Sequence, residues 1–269
     1  MAWIITRLKQ WRAARHVRRS PYLAQLADLP PALQGAWQRS APKEYQGIRT
    51  DAFFFARAAE GLVRFFDAQA CIGRPCALPS EAADSVWHAW LRWNRASLDD
   101  FCCRHFGRTM PHLEHAALAS HSLAHALVAC RQREGIAPEA ASLPDLFGLD
   151  ARLRMPYGHG YWRRGDDIVY TRLGRLGAGR IRARAHPELT LPALVAAGLV
   201  VAAALPVRRR REFESDGDTG VIYADGGAAF AGGDGVADLA CDSGGSDSVS
   251  CDSGTSCGSS CGSSCGSSD

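Results

Sequence analysis

The chain has 269 residues, 46% hydrophobic and 22% charged, which suits one good core with appendages better than two full domains. All 31 Lys and Arg lie at or before Arg211 while 11 of the 28 acidic residues follow it. The formal +3 therefore hides a basic body of +14 (residues 1–211) and an acidic tail of −11 (residues 212–269). Five cysteines on apolar stretches of the body, Cys71, Cys76, Cys102, Cys103 and Cys130, read as reduced, and the apolar run before the first arginines reads as too short for a secretory signal peptide.

In chain order, residues 3–19 predict a basic helix with Ile4, Leu8 and Trp11 on one face and no acid before Asp28. Two readings follow: a membrane-surface or acidic-partner helix, or a helix that docks Trp3, Leu8 and Trp11 on the domain and solvates its arginines. The prolines of LADLPPALQG break this helix, and another follows. Residues 44–70 carry Phe54, Ala58, Leu62, Phe65 and Phe66 at helical spacing and predict the central core helix. After the loop CIGRPCALPS, Ser80 is an N-cap for a helix over 81–105 that stops near Gly107. A further helix is expected over 113–134, ending at Gly135. Residues 142–170 hold short apolar pieces between Pro and Gly, read as a short helix and an irregular cap with one strand. No series of strands is evident, so the fold class is mainly α, a domain of four to six helices.

Residues 189–207, LTLPALVAAGLVVAAALPV, are 19 residues without a charge, close to the roughly 20 that cross a bilayer core. The uninterrupted run between Pro192 and Pro206 is only 13 residues and also suits a buried helix. Basic segments on both sides leave orientation open. From Asp216 onward Gly, Ser, Asp and Ala dominate, and Cys257, Cys261 and Cys265 repeat at period four, the composition of a disordered tail.

Chemistry concentrates in one stretch: His88, His105, His112, His115, His121 and His125 fall within 38 residues. HSLAH at 121–125 has the paired histidines of a helical zinc site, but Ser122 stands where a metalloprotease needs glutamate. No phosphate loop or nucleophile elbow appears, and GRLGAG lacks the preceding strand of a dinucleotide fingerprint. Asp84 and His88, four apart, share a helical face, where the carboxylate can accept one imidazole proton and leave the other nitrogen for a metal or substrate. His105 lies about 100° away around an ideal helix and joins them only if the helix bends, whereas His112, after Pro111, can fold back. The rival structural reading is an Asp84-paired histidine that orients the helix among Trp87, Trp90, Trp93, Leu91 and Phe101.

The stretch from LPSEAADSVWHAW to PHLEH resembles the signature of the glycine-rich domain-containing protein-like family at Ser80, Asp84, Trp87, His88, Phe101, Cys102, Phe106, Gly107 and His112. Weaker similarity, closest to uncharacterised bacterial members, extends over about residues 45–160. The chain departs from that pattern at Leu98, where relatives often carry an aromatic, and at Trp90, which replaces a second histidine and so puts metal binding in doubt. The resemblance implies a helical domain and no particular activity.

The expected organisation is a basic amphipathic helix (1–30), a helical domain (31–170), a basic linker (171–188), a transmembrane helix (189–207) and a Cys-rich tail (208–269). The leading expectation is a non-catalytic interaction domain, single-pass in a membrane with a cytoplasmic body, taking a membrane or protein partner; a soluble cytoplasmic protein is the alternative. Dispersed arginines and the lack of a recognised motif argue against nucleic acid. The rival from another class is a zinc or other divalent-metal protein or enzyme, with His88 and His112 as ligands, His105 or Cys102 as a further ligand and Asp84 behind them.

Overall fold

The computed structural model describes residues 2–112, 121–165, 167–179 and 182–201. The central helix forms where expected but starts later. Asp51 caps it, its side chain accepting from the Phe54 amide at 3.2 Å, and Gly73 closes it in the left-handed conformation at φ +63°. This is α4 (Ala52–Ile72), and it buries Phe54, Phe55, Leu62, Phe65 and Phe66. Each such side chain contributes about 1.5–3 kcal/mol when removed from water. Before it come α1 (Ala2–Val17), α2 (Leu23–Ala27) and α3 (Leu33–Glu44). Residues 45–51 form a turn at Gly47 (φ +78°), so Glu44 and Tyr45 end α3 instead of opening the core helix.

α5 (Glu81–Phe106) packs along α4. Ser80 caps it as predicted, accepting from the Ala83 amide at 3.2 Å. At Asn94 the backbone leaves the helical region (φ −163°, ψ 90°), and the Asn94 side chain accepts from the Ser97 amide at 3.0 Å, so it caps the second half of a bent helix. Trp37 and Trp90, both fully buried, satisfy their ring N–H groups on Ser85 at 2.9 Å and Ser97 at 3.3 Å. α6 (Ser122–Arg133) is the second half of the helix expected over 113–134, and His115 lies outside the described residues.

The one strand expected in 142–170 is a hairpin with a third strand. After α7 (Leu149–Leu153), β1 (His159–Arg164) pairs antiparallel with β2 (Asp167–Arg172), which pairs with β3 (Arg184–Ala185). Gly165, at φ +61°, makes the turn. His159 stands opposite Arg172 and Tyr161 opposite Tyr170, and with a period of two these four share one sheet face. β3 and the start of a 3₁₀ turn at Pro187–Leu189 fall within the stretch 171–188 expected as a linker.

The transmembrane expectation requires correction over its described part. Residues 187–201 form that 3₁₀ turn, the six-residue α8 (Leu191–Ala196) and a reversal at Gly198 (φ +67°). Leu189, Leu194 and Val200 join the main core at 2%, 1% and 9% exposure. Their apolar character serves packing, and Thr190 caps α8 in place of a continuing helix. Among the described residues no helix is long and apolar enough to cross a membrane. Residues 202–207 and the Cys-rich tail at 208–269 lie outside the described residues. The docking of Trp3, Leu8 and Trp11 on the domain is not observed either: they are 69%, 52% and 51% exposed.

Candidate metal centre

The first two turns of α5 aim Asp84 and His88 the same way, as their four-residue spacing requires. The chain beyond Gly107 then returns His112 to them. His88 Nε2 lies 3.0 Å from His112 Nε2 and 3.4 Å from Asp84 Oδ2, and His112 Nε2 lies 3.2 Å from Asp84 Oδ1. Three potential ligand side chains thus converge, with one ligand atom of each within 4.8 Å of the others and each side chain about a quarter exposed or less. Ligands at roughly 2.0–2.2 Å from a tetrahedral or octahedral ion stand about 3.0–3.5 Å from one another. The closest approaches fall in that range, so the residues present fit a first-row divalent metal once one Asp84 oxygen turns to the point the histidines share.

The supporting groups arrive from distant sequence. Glu44, ending α3, places Oε1 at 2.5 Å from His88 Nδ1, and its other oxygen meets Arg92 at 2.7 Å. An ionised Glu44 can only accept, so it draws the His88 proton to Nδ1 and leaves the Nε2 lone pair facing Asp84 and His112. Burial would raise the Glu44 carboxyl, but the hydrogen bonds from Arg92 and His88 outweigh it and hold the group below its ordinary value. Tyr45 donates to Asp84 Oδ2 at 2.8 Å, its phenol kept protonated by burial and by the facing carboxylates. Asp84 behaves like Glu44: burial pushes it up, while His112, His88 and Tyr45 together bring it below the usual carboxylate range.

Beside the cluster opens a cleft of about 810 Å³. Its far wall carries His159, Tyr170 and Arg172 from the sheet. His159 Nε2 lies 3.2 Å from Glu81 on α5, and its Nδ1 lies 3.3 Å from the Tyr170 hydroxyl. Asp150 of α7 joins the two walls from beneath. It is fully buried and accepts from Ser80 Oγ (2.6 Å), the amides of Glu81 and Ala82 (both 3.0 Å) and the His159 amide (2.8 Å). Trp87 puts its ring edge on His112, centroids 4.5 Å apart, and its buried ring N–H has no partner among the described residues.

Of the predicted site residues, Asp84, His88 and His112 meet and the others do not. The helix bends, but His105 goes to Asp28, with Nε2 at 2.8 Å from Oδ2 beside Arg104, and packs on Phe101. Cys102 is fully buried in the core, and burial pushes its thiol up to about 12, far from a thiolate ligand. Asp84, expected behind the histidines, offers its own oxygens to the shared point, and Glu44 holds the supporting place. Sequence reasoning missed Glu44, Tyr45, Glu81, His159, Tyr170 and Arg172. The only local signal was Glu81, one turn before Asp84.

No curated protein and no solved structure matches the chain. The matching family model does not carry the glycine-rich domain name. Residues 38–170, from α3 through most of β2 and including Glu44, Asp84, His88, His112 and His159, match the model of an uncharacterised family described as UCP032817-like.

Proposed function

We propose that the cleft is a divalent-metal centre of the zinc class, with Asp84, His88 and His112 as its protein ligands and an open coordination position toward the cavity. One observation carries this reading: three ligand side chains from a helix and the following loop approach one another to 3.0–3.4 Å, Asp84 presenting one oxygen to each histidine, with Glu44 fixing the tautomer of one histidine. Three protein ligands and an open position are the arrangement of catalytic zinc sites, where the ion supplies an activated water; structural sites are closed by a fourth ligand. Glu81 on α5, paired with His159 of the facing wall, adds a couple able to accept and return a proton in the same cavity. This supports metal-dependent hydrolytic chemistry over purely structural metal binding.

The purified full chain, stripped with chelator and titrated with zinc, manganese and ferrous iron, should take up one equivalent of at least one of them. D84N, H88A and H112A should each abolish stoichiometric uptake, while H105A retains it. Absence of uptake for every metal, or uptake unchanged in H88A, would overturn the assignment.

The interaction-domain reading retains one specific support, the exposed face of α1, which is independent of the cleft.

A further inference from the structure

α1 is docked by one side only. Ala13 is buried, His16 Nε2 meets the buried Glu60 at 2.5 Å, Lys9 pairs with Asp51 at 3.5 Å, and the Arg12 guanidinium sits 4.7 Å from the Phe53 ring centroid. These contacts fix which face turns outward. At about 100° per residue, Ile4, Trp11 and Leu8 lie roughly 180°, 160° and 140° around the helix from Ala13. The most outward positions of a surface helix are ordinarily polar. Here Ile4, Trp11 and Leu8 share them with Arg15, and with Trp3 and Ile5 at the sides the apolar residues are between 51% and 69% exposed.

Charge selects the partner. Residues 2–19 carry Arg7, Lys9, Arg12, Arg15, Arg18 and Arg19, and no carboxylate precedes Asp28. Arg7 lies 5.2 Å from the Trp3 ring centroid and Arg15 5.2 Å from that of Trp11, so cations flank the apolar side chains on the same face. A second copy of this helix would bring cations against cations. Nucleic acid would satisfy the arginines and leave Ile4 and Leu8 in water. A surface that takes aromatic and aliphatic side chains to a shallow depth and guanidinium groups beside them is the headgroup layer of an anionic bilayer. With 16 residues and its arginines, α1 lies in that layer and does not span it.

We infer that the outward face of α1 is a membrane-surface anchor for anionic lipid, seated through Trp3, Ile4, Leu8 and Trp11 with the flanking arginines on the headgroups. The test is co-sedimentation of the full chain with phosphatidylglycerol–phosphatidylcholine vesicles against phosphatidylcholine alone, together with tryptophan quenching by brominated lipid. Binding should require the anionic lipid and weaken in high salt. The triple variant Ile4→Ser, Leu8→Ser, Trp11→Ser should weaken it by roughly tenfold or more at an unchanged melting temperature. Leu176→Ser, at a still more exposed leucine elsewhere, should leave it intact. Binding no stronger than to neutral vesicles, full binding by the triple variant, or affinity confined to nucleic acid or an acidic protein would each overturn the inference.

Discussion

Replacing Asp150 by asparagine should destabilise the fold by about 3 kcal/mol, and the figure follows from how its two oxygens are used. Oδ1 accepts from Ser80 Oγ and the Ala82 amide, Oδ2 from the amides of Glu81 and His159. Four donors and no acceptor surround the group, so only the carboxylate satisfies them all, although burial pushes its pKa upward. An amide keeps one oxygen and turns an NH₂ toward the other two donors. Two buried hydrogen bonds to a charged acceptor are lost at about 1.5–3 kcal/mol each, and the first turn of α5 loses a negative charge worth about 0.3–1 kcal/mol. Against this, a neutral amide is released from the desolvation penalty of a buried charge, which returns part of the loss. Urea unfolding at neutral pH should therefore show a lower midpoint at unchanged slope. Ser80→Ala, which removes one donor and the cap on Ala83, should cost about 1–2 kcal/mol. A change below about 1 kcal/mol in D150N would refute the reasoning, because it would mean that these donors find water as good an acceptor.

Glu60 supplies a pH dependence. It is buried, and burial alone would raise its pKa, but hydrogen bonds from His16 and Ser20 and the charge of Arg64 bring it from 4.5 to about 2. Because the folded value lies below the unfolded one, its stabilisation of about 3 kcal/mol is present above pH 4.5 and is lost as the pH falls through about 2. Urea midpoints measured between those limits should fall more steeply for the native chain than for Glu60→Gln. Gly177→Ala should destabilise by about 2 kcal/mol or more, since Gly177 sits at φ +68° and a Cβ there would overlap the Arg154 backbone. Thermal melting checks this, and a neutral result would contradict the close approach. Glu44→Gln should weaken zinc affinity by about 10–100-fold in a competition titration and leave its stoichiometry intact, because Glu44 orients His88 without contacting the ion.

Features set by neighbouring residues could be read from the sequence. The Ser80 cap, the glycine stop at 107, and the shared face of Asp84 and His88 all depend on spacings of four residues or fewer. The supporting half of the site could not, because Glu44 and His88 are 44 positions apart and Asp150 reaches Ser80 across 70. Nothing in KEYQG announces that its acid ends a helix beside another helix's histidine. Likewise His105 looked like a ligand because it shares a histidine-rich stretch, yet Asp28, 77 residues earlier, takes it. Residues 189–207 failed for a different reason. A run of 13 apolar residues has the same composition whether a bilayer or a core receives it, and the pockets that bury Leu189, Leu194 and Val200 are made by other elements. The sheet was hidden by its arginine-rich ends, although DIVYTR does bury its Ile168 and Val169.

The placement of the cluster on α5 also bears on when a metal could be held. Metal ligands must be deprotonated, so each proton displaced weakens affinity as the medium becomes more acidic. Asp84 sits within the first turn of α5 after the Ser80 cap, where the positive end of the helix favours an anion, and Tyr45 and His112 already direct hydrogen bonds to it. Its pKa is thereby lowered against burial, so at neutral pH the carboxylate arrives ionised. Glu44 has meanwhile drawn the His88 proton to the nitrogen that points away from the site. The remaining proton lies on His112 Nε2, between Asp84 Oδ1 at 3.2 Å and His88 Nε2 at 3.0 Å, and a neutral imidazole can pass it to its own Nδ1 when Nε2 takes the ion. With Asp84 ionised and both histidines neutral, the three ligands should release no proton to solvent on zinc binding, and calorimetry in buffers of different ionisation enthalpy measures the count. Release of a proton from the ligands would show that one of them is protonated at the outset, contrary to the hydrogen-bond directions described.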